Sequence, residues 1–213
     1  RGLGDVYKRQ AGGKLRILWA STGLHVNTGY GKVTRNVTTR LARLGFDVIN
    51  YNAQLLGGTC YMEGILQLPR GKDTWGSDSI PAYYALYGRN LLVTLWDVWV
   101  LHWVKHHALN WLPYVPVDAE LDDYTYEINE PLSSPQAIAV VAMSDFGRRQ
   151  LEKVVRGKKV YVVPHGVDTR LYRPMDRGEA RREVGVPSDA FVFGCVAANV
   201  GDRKDLPTLL KAF

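Results

Sequence analysis

The first fifty residues alternate between short apolar runs and one helical stretch, and this alternation constrains the fold more than any other feature. Residues 15–20 form an apolar run bounded by Gly and Ser, and residues 46–51 form a second one. Between them, apolar residues recur at helical spacing over 33–44, and Gly45 stands where a helix-ending glycine is expected. Strand, helix and strand in this order predict a βαβ unit with parallel strands.

The alternation continues along most of the chain. Residues 118–135 are acidic and rich in turn formers, which predicts a surface loop. The other patterns predict strands over 91–96, 111–117, 137–143, 159–163 and 191–198, and helices over 80–87, 146–155, 178–184 and 206–213. We therefore predict an α/β fold, a Rossmann-like doubly wound parallel sheet, followed by a fragment of a second Rossmann-like domain.

These patterns divide the chain into four parts. Residues 1–13 begin without Met and show no periodicity, so we interpret them as a non-native leader. Residues 14–168 hold the first α/β domain, residues 169–190 form a connector, and residues 191–213 form the first βα unit of the second domain. Since a domain needs roughly 100–150 residues, we expect the chain to be a fragment of a longer protein.

Composition and charge exclude several classes of protein. With 46% hydrophobic residues the chain is not disordered, and two cysteines, Cys60 and Cys195, fit a reduced, cytoplasmic protein with no disulfide framework. No apolar run is long enough to span a membrane. The net charge of +6 is uneven, because residues 1–50 and 148–213 are basic and residues 51–147 are acidic. This pattern leaves nucleic-acid binding open, but it also describes positive walls around a site for a small anion.

Two loops in equivalent positions carry residues suited to binding phosphate. The loop over 21–31 contains Gly29 and Gly31 and precedes the first helix, whose N-terminus offers N–H donors. Arg203 and Lys204 stand in the loop after the strand predicted over 191–198, where a fork of donors and a point charge can hold a diphosphate. Taken singly, an ordinary turn explains the glycine loop equally well, and a solvated basic pair explains Arg203 and Lys204 better than a ligand does.

Polar residues beyond the strand ends are further candidates. Asp97 follows the strand over 91–96 and is the candidate catalytic residue, with a helix cap or a loop hydrogen-bond acceptor as the alternative. Five further residues are candidates for lining a ligand-binding cleft, with no particular role assigned to any of them: His25, Tyr30, His165, Gly166 and Asn199.

Histidine and tryptophan clusters near residue 100 receive separate interpretations. His102, His106 and His107 lack a carboxylate or Cys that would complete a ligand set, so no metal site is predicted. Trp96, Trp99 and Trp103 are candidates for stacking on a sugar ring, with a place in the core as the alternative.

An ordered set of motifs resembles the family 4 GT-B glycosyltransferases over residues 14–213. The motifs are Asn27-Thr28-Gly29-Tyr30-Gly31, Leu44-Gly45-Phe46-Asp47-Val48, Val163-Pro164-His165-Gly166-Val167-Asp168 with Tyr172-Arg173-Pro174, and Arg203-Lys204 before Leu209-Leu210-Lys211-Ala212-Phe213.

The resemblance implies a particular reaction. A nucleotide-diphosphate sugar would bind the C-terminal domain, and its sugar would pass to a saccharide, lipid or protein acceptor on the N-terminal domain. The transfer would retain the anomeric configuration and need neither a metal nor another cofactor. Gly29, Gly31, Arg203 and Lys204 would hold the donor diphosphate. The expected partners are thus the nucleotide sugar and a carbohydrate-type acceptor, not nucleic acid, while peripheral membrane contact and oligomeric state stay open.

The sequence also departs from the family pattern. An Arg that is common after the first strand of the second domain is replaced by the region 197–199, and the acidic pair that holds the donor sugar would lie beyond Phe213. We therefore expect this fragment to be inactive alone. The alternatives left open are a GT-B sugar-nucleotide epimerase and a non-catalytic carbohydrate- or nucleotide-binding module.

Overall fold

A computed structural model describes residues 14–122, 129–197 and 204–212 of the chain. The chain divides into two compact units, Arg1–Gly166 and Val167–Phe213. The predicted leader lies outside the described residues, and the domain assignments made from the sequence stay predictions.

The first unit is built on a mostly parallel sheet. Among the described residues the sheet has eight strands in the order β3-β4-β2-β1-β5-β6-β7-β8, with β3 antiparallel to β4 and every other neighbouring pair parallel. The doubly wound parallel sheet expected from the sequence is confirmed. The strands are β1 (Arg16–Ser21), β2 (Asp47–Asn52), β3 (Cys60–Met62), β4 (Ile65–Pro69), β5 (Leu91–Leu95), β6 (Trp111–Val115), β7 (Val140–Ala142) and β8 (Val160–Val162).

Among the described residues of the first unit, three α-helices match predicted helices, although the first begins at Gly29, so the loop predicted over 21–31 is wrong for residues 29–31. They are α1 (Gly29–Arg43), α2 (Ile80–Leu86) and α3 (Asp145–Val154). Hydroxyl caps start two of them, since Thr28 Oγ1 accepts from Gly31 N at 3.1 Å and Ser144 Oγ accepts from Gly147 N at 3.0 Å. Gly45, with φ of +93°, ends α1 in the left-handed conformation that glycine adopts without strain.

Two apolar clusters cover the two faces of the sheet. Leu18 and Ala20 point into one cluster, and Ile17 and Trp19 into the other, as alternation along a strand requires. Trp19 Nε1 donates to Thr34 Oγ1 of α1 at 3.1 Å, which ties the helix to the sheet.

Two parts of the first unit differ from the sequence expectation. The β3–β4 hairpin is not among the predicted elements; its two turn residues, Glu63 and Gly64, both have positive φ (49° and 78°), as a tight two-residue hairpin requires. The prediction of a surface loop over 118–135 is wrong in part. Glu130–Ser133 form a short 3₁₀ helix that buries Leu132 completely, so this segment helps to close the core.

The second unit contains helices α4 (Arg177–Glu183) and α5 (Leu206–Ala212). Both agree with the sequence prediction within a few residues. The strand expected over 191–198 is absent from the described residues 191–197, and Phe191 and Phe193 are exposed there. A strand is stable when a neighbouring strand accepts and donates its backbone hydrogen bonds. The described part of the second unit offers no such neighbour.

Candidate functional site

The strand order places a crevice between β1 and β5. From β1 the chain runs to β2 on one side, whereas β5 and the later strands extend on the other side. In open α/β sheets, ligands bind outside the carboxyl ends of the strands at such a reversal. The turn over 22–28, after β1, and the segment that begins at Trp96, after β5, flank this crevice.

Amide side chains hold the turn after β1 in place; Asn50, Asn52 and Gln67 are buried, whereas Gln54 is exposed. Gly23 N donates to Gln54 Oε1 at 2.9 Å, and Gln54 N donates to Asn52 Oδ1 at 3.0 Å. Asn52 and Asn50 both donate to Gln67 Oε1, at 3.4 and 2.8 Å. This amide network, formed by Asn50, Asn52, Gln54 and Gln67, positions the turn from the ends of β2 and β4.

The two predicted phosphate-binding glycines have different surroundings in the structure. Both lie in the first turn of α1, because the helix begins at Gly29. Gly31 is buried, and a Cβ added there would stand 2.0 Å from the Val26 carbonyl oxygen. Gly29 is exposed, and a Cβ added there meets no atom within 4 Å. Packing of the turn thus accounts for Gly31, whereas open space over Gly29 leaves room for a ligand at the helix N-terminus.

Asp97 lies at the crevice together with a second carboxylate. Its backbone caps the 3₁₀ helix Val98–Val100, but its side chain makes no capping hydrogen bond, which argues against the alternative of a helix cap. Burial and the nearby charge of Asp118 raise the pKa of Asp97. Burial, followed by the charges of Asp97 and Asp118, raises the pKa of Tyr30 to about 12. These three side chains therefore share one electrostatic environment, with neither carboxylate in any ion pair of the described residues.

Asp118 is a candidate site residue that the sequence reasoning missed. The turn-rich pattern assigns it to a surface loop, although it follows β6 just as Asp97 follows β5. Strands β5 and β6 are parallel neighbours, with Leu95 paired to Tyr114, so the segments after them emerge side by side. Knowledge that β5 and β6 are neighbours would have predicted that Asp97 and Asp118 lie close together.

The three tryptophans proposed for sugar stacking separate into core and surface residues. Trp96 is 3% exposed and belongs to the core, and Trp103 packs its ring against His107 with its buried Nε1 unpaired. The stacking interpretation is therefore wrong for Trp96 and is not favoured for Trp103. Trp99 is 60% exposed and makes an edge contact with Trp75, a residue that the sequence reasoning did not single out.

The remaining cleft candidates occupy different places. His25 is exposed in the turn after β1. His165 packs edge-on against Tyr114 at 5.4 Å, and the partial burial of its ring lowers its pKa, which favours neutral imidazole at pH 7. Gly166 is exposed with open space around it.

The second loop of the sequence prediction is described only in part. Asn199 and Arg203 lie outside the described residues, and Lys204 is exposed in the second unit. Their assignment to donor diphosphate stays a prediction. In the part of the chain that the structure describes, no three His, Cys, Asp or Glu side chains are grouped to hold a metal ion, and no helix has the length and apolarity to cross a bilayer.

Comparisons with known proteins place the chain among glycosyltransferase-like sequences. No family model matches it. It is 29% identical over 149 residues to D-inositol 3-phosphate glycosyltransferase of Actinosynnema mirum, covering 67% of this chain and 36% of the relative. It is 28% identical over 140 residues to the protein of that name from Stackebrandtia nassauensis, covering 63% and 31%. The chain thus spans about a third of the length of these curated relatives.

Solved structures resemble the fold. Sucrose-phosphate synthase from Thermosynechococcus elongatus matches 83% of this chain and 54% of its own, with a TM-score of 0.62 and 18% identity. A second structure of that synthase matches 80% of this chain and 99% of its own, with a TM-score of 0.51 and 17% identity. At this identity the likeness concerns the fold.

A doubly wound parallel sheet with a crevice at its reversal point defines a Rossmann-like α/β protein, and this fold resembles that of the synthase. The resemblance to family 4 glycosyltransferases, inferred from ordered motifs, is confirmed by the two curated relatives. Their names do not favour the alternatives of an epimerase or a non-catalytic binding module.

Proposed function

We propose that this chain is the acceptor-side part of a glycosyltransferase that moves a sugar from a nucleotide-diphosphate sugar to a hydroxyl group of a saccharide, lipid or protein. One observation carries the proposal: Asp97 and Asp118 stand at the crevice whose other side is the open first turn of α1. The crevice thus pairs acceptors for hydroxyl hydrogen bonds with donors for phosphate.

Asp97 positions the acceptor in this proposal. Its carboxylate is half-buried and has no cationic partner among the described residues, so it accepts the hydrogen bond of an incoming hydroxyl group. The raised pKa makes this carboxylate a stronger hydrogen-bond acceptor than an exposed Asp. Asp118 maintains the negative potential beside it.

The first turn of α1 faces the leaving group. None of the described hydrogen bonds uses the N–H of Gly29 or Tyr30, and the open space over Gly29 lets a phosphate approach them. As the acceptor oxygen bonds to the anomeric carbon, the bond to the diphosphate breaks and its electron pair goes to the diphosphate. N–H donors aimed at that group stabilise the developing charge, and the hydroxyl proton passes to a diphosphate oxygen.

Several finer features belong to the same proposal. Retention of configuration, the absence of a metal or other cofactor, and the diphosphate roles of Arg203 and Lys204 derive from the family resemblance. We also propose that the chain alone is inactive, which its coverage of about a third of the curated relatives supports. A cytoplasmic location stays a prediction.

The test uses two proteins. The chain alone and a fusion in which the C-terminal portion of the A. mirum relative replaces residues 167–213 are incubated with nucleotide sugars and candidate acceptors. Mass spectrometry follows acceptors that gain one sugar. We expect product from the fusion and none from the chain alone.

Variants connect the activity to the crevice. Asp97→Asn in the fusion should lower turnover by roughly 10- to 150-fold, the effect of losing one hydrogen bond to a charged group. Glu152→Gln, an exposed carboxylate on α3, is the control and should leave turnover unchanged. Epimerised nucleotide sugar without transfer, or equal turnover by Asp97→Asn, would contradict the proposal.

A further inference from the structure

Four aromatic rings form a continuous series that runs from the core of the first unit to its surface. We call this series the aromatic ladder; it consists of Tyr51, Trp96, Trp75 and Trp99. The ring centroids of Tyr51 and Trp96 are 5.9 Å apart, those of Trp96 and Trp75 are 5.6 Å apart, and those of Trp75 and Trp99 are 6.3 Å apart. Each contact is close to edge-to-face, the geometry in which aromatic pairs attract each other.

The inner end of the ladder is rigidly held. Tyr51 is fully buried, and its hydroxyl donates to the carbonyl oxygens of Asp73 and Thr74, both at 3.1 Å. The Asp73 carboxylate accepts from Trp75 N at 3.0 Å and from Ser77 N at 2.9 Å. The loop that carries Trp75 is therefore fixed to the sheet before any ligand binds.

The outer end of the ladder is open to solvent. Trp75 is 37% exposed and Trp99 is 60% exposed. An edge-to-face contact covers only part of each ring, so a large apolar surface of the Trp99 indole faces water. Rigid, exposed aromatic surface beside a crevice is typical of a binding site, because such surface is otherwise unfavourable in water.

The chemistry around the outer end favours one kind of occupant. Trp99 follows Asp97 by two residues, so the exposed indole and an acceptor of hydroxyl hydrogen bonds belong to the same short segment after β5. A sugar ring offers an apolar C–H face to an indole and hydroxyl groups at its edge to a carboxylate. A lipid chain would instead desolvate Asp97 without supplying a hydrogen bond, which costs free energy.

We infer that Trp75 and Trp99 form a stacking platform for a saccharide ring of the acceptor. The inference rests on the proposed function and narrows it, because it makes the acceptor a saccharide or a saccharide-bearing molecule. Trp99 supplies the stacking face, Trp75 supports its edge, and Asp97 accepts a hydroxyl hydrogen bond from the stacked ring.

Saturation-transfer NMR on the full 213-residue chain tests the platform without any turnover. The probes are methyl α-glucoside and maltose, and the variants are Trp99→Leu, Trp99→Phe and the control Tyr61→Ala. Tyr61 is 73% exposed on β3 and lies outside the ladder. We expect ring C–H signals with the native chain and with Tyr61→Ala, weaker binding by about tenfold with Trp99→Leu, and partial recovery with Trp99→Phe.

Each other outcome overturns the inference. Unchanged saccharide binding by Trp99→Leu, or no saccharide binding by the native chain, removes the platform and leaves the transferase proposal to its own turnover assay. Binding to phosphatidylcholine vesicles without a saccharide signal identifies a lipid surface instead. Dimerisation that Trp99→Leu abolishes, again without a saccharide signal, identifies a second copy of the chain as the occupant.

Discussion

Alanine substitutions at Gly29 and Gly31 should have opposite effects on stability, although the two residues lie in the same helical turn. The methyl group that Gly31→Ala introduces would stand 2.0 Å from the Val26 carbonyl oxygen, so the turn after β1 must shift. The same methyl group at position 29 meets nothing within 4 Å. The pair therefore separates the steric requirement for glycine from the general effect of replacing glycine in a helix.

The size of the difference follows from two opposing terms. Overpacking costs about 1–3 kcal/mol, and replacing Gly by Ala within a helix gains roughly 0.5–1 kcal/mol. We expect Gly31→Ala to lose about 1–2 kcal/mol and Gly29→Ala to gain up to about 1 kcal/mol. At ~2–4 °C per kcal/mol, the melting temperature should fall by about 2–8 °C in the first variant and rise by up to about 4 °C in the second.

Tryptophan fluorescence measures this difference in the first unit alone, because all six tryptophans lie before Gly166. Urea and thermal unfolding of both variants are compared with the native chain. Equal stability of Gly31→Ala and Gly29→Ala would refute the reasoning. A stable Gly29→Ala variant with lowered donor affinity in the fusion would further indicate that ligand approaches this position.

Three other substitutions probe the same unit by urea unfolding. Burial and a neighbouring charge raise the pKa of Asp97, so its ionised form destabilises the fold. Asp97→Asn should therefore raise the unfolding midpoint at pH 7. This gain in stability should vanish below the ordinary pKa of 3.8, where Asp97 is protonated in both the folded and the unfolded chain. Arg89→Ala should cost about 2 kcal/mol at pH 7, because the largely buried Arg89 pairs with Asp47 at 2.9 Å. Since that hydrogen bond lowers the pKa of Asp47, the loss should shrink in acid. Thr28→Ala should cost about 1 kcal/mol, and no loss would deny the capping role.

The fold was predictable where apolar pattern and turn residues agreed. β1, α1 and β2 followed directly from one apolar run, one helical period and Gly45. The β3–β4 hairpin was missed because β3 has only three residues and the buried Gln67 interrupts the apolar pattern of β4. Its Glu63-Gly64 turn was the available signal. The strand expected over 191–198 failed for the opposite reason, since an apolar run alone supplies no neighbour for its backbone.

The site was predictable only in part. Asp97 could be identified because it directly follows an apolar strand, but its relation to Asp118 depends on the pairing of β5 with β6, which the sequence does not state. Gly31 looked like a ligand-binding residue, although contact with the Val26 carbonyl oxygen explains it. Trp75 carries no local pattern, and only the packing of distant loops brings it against Trp99.

The amide network has a consequence for anyone who wishes to graft or randomise the turn after β1. Gly23 depends on Gln54, Gln54 on Asn52, and Asn52 shares Gln67 with Asn50. A turn moved into another Rossmann-like domain without these side chains would lose the hydrogen bonds that fix its position relative to the sheet. A library that varies residues 22–28 alone would therefore contain few folded variants with a new turn conformation. A library that also varies positions 52, 54 and 67 would allow other turn conformations.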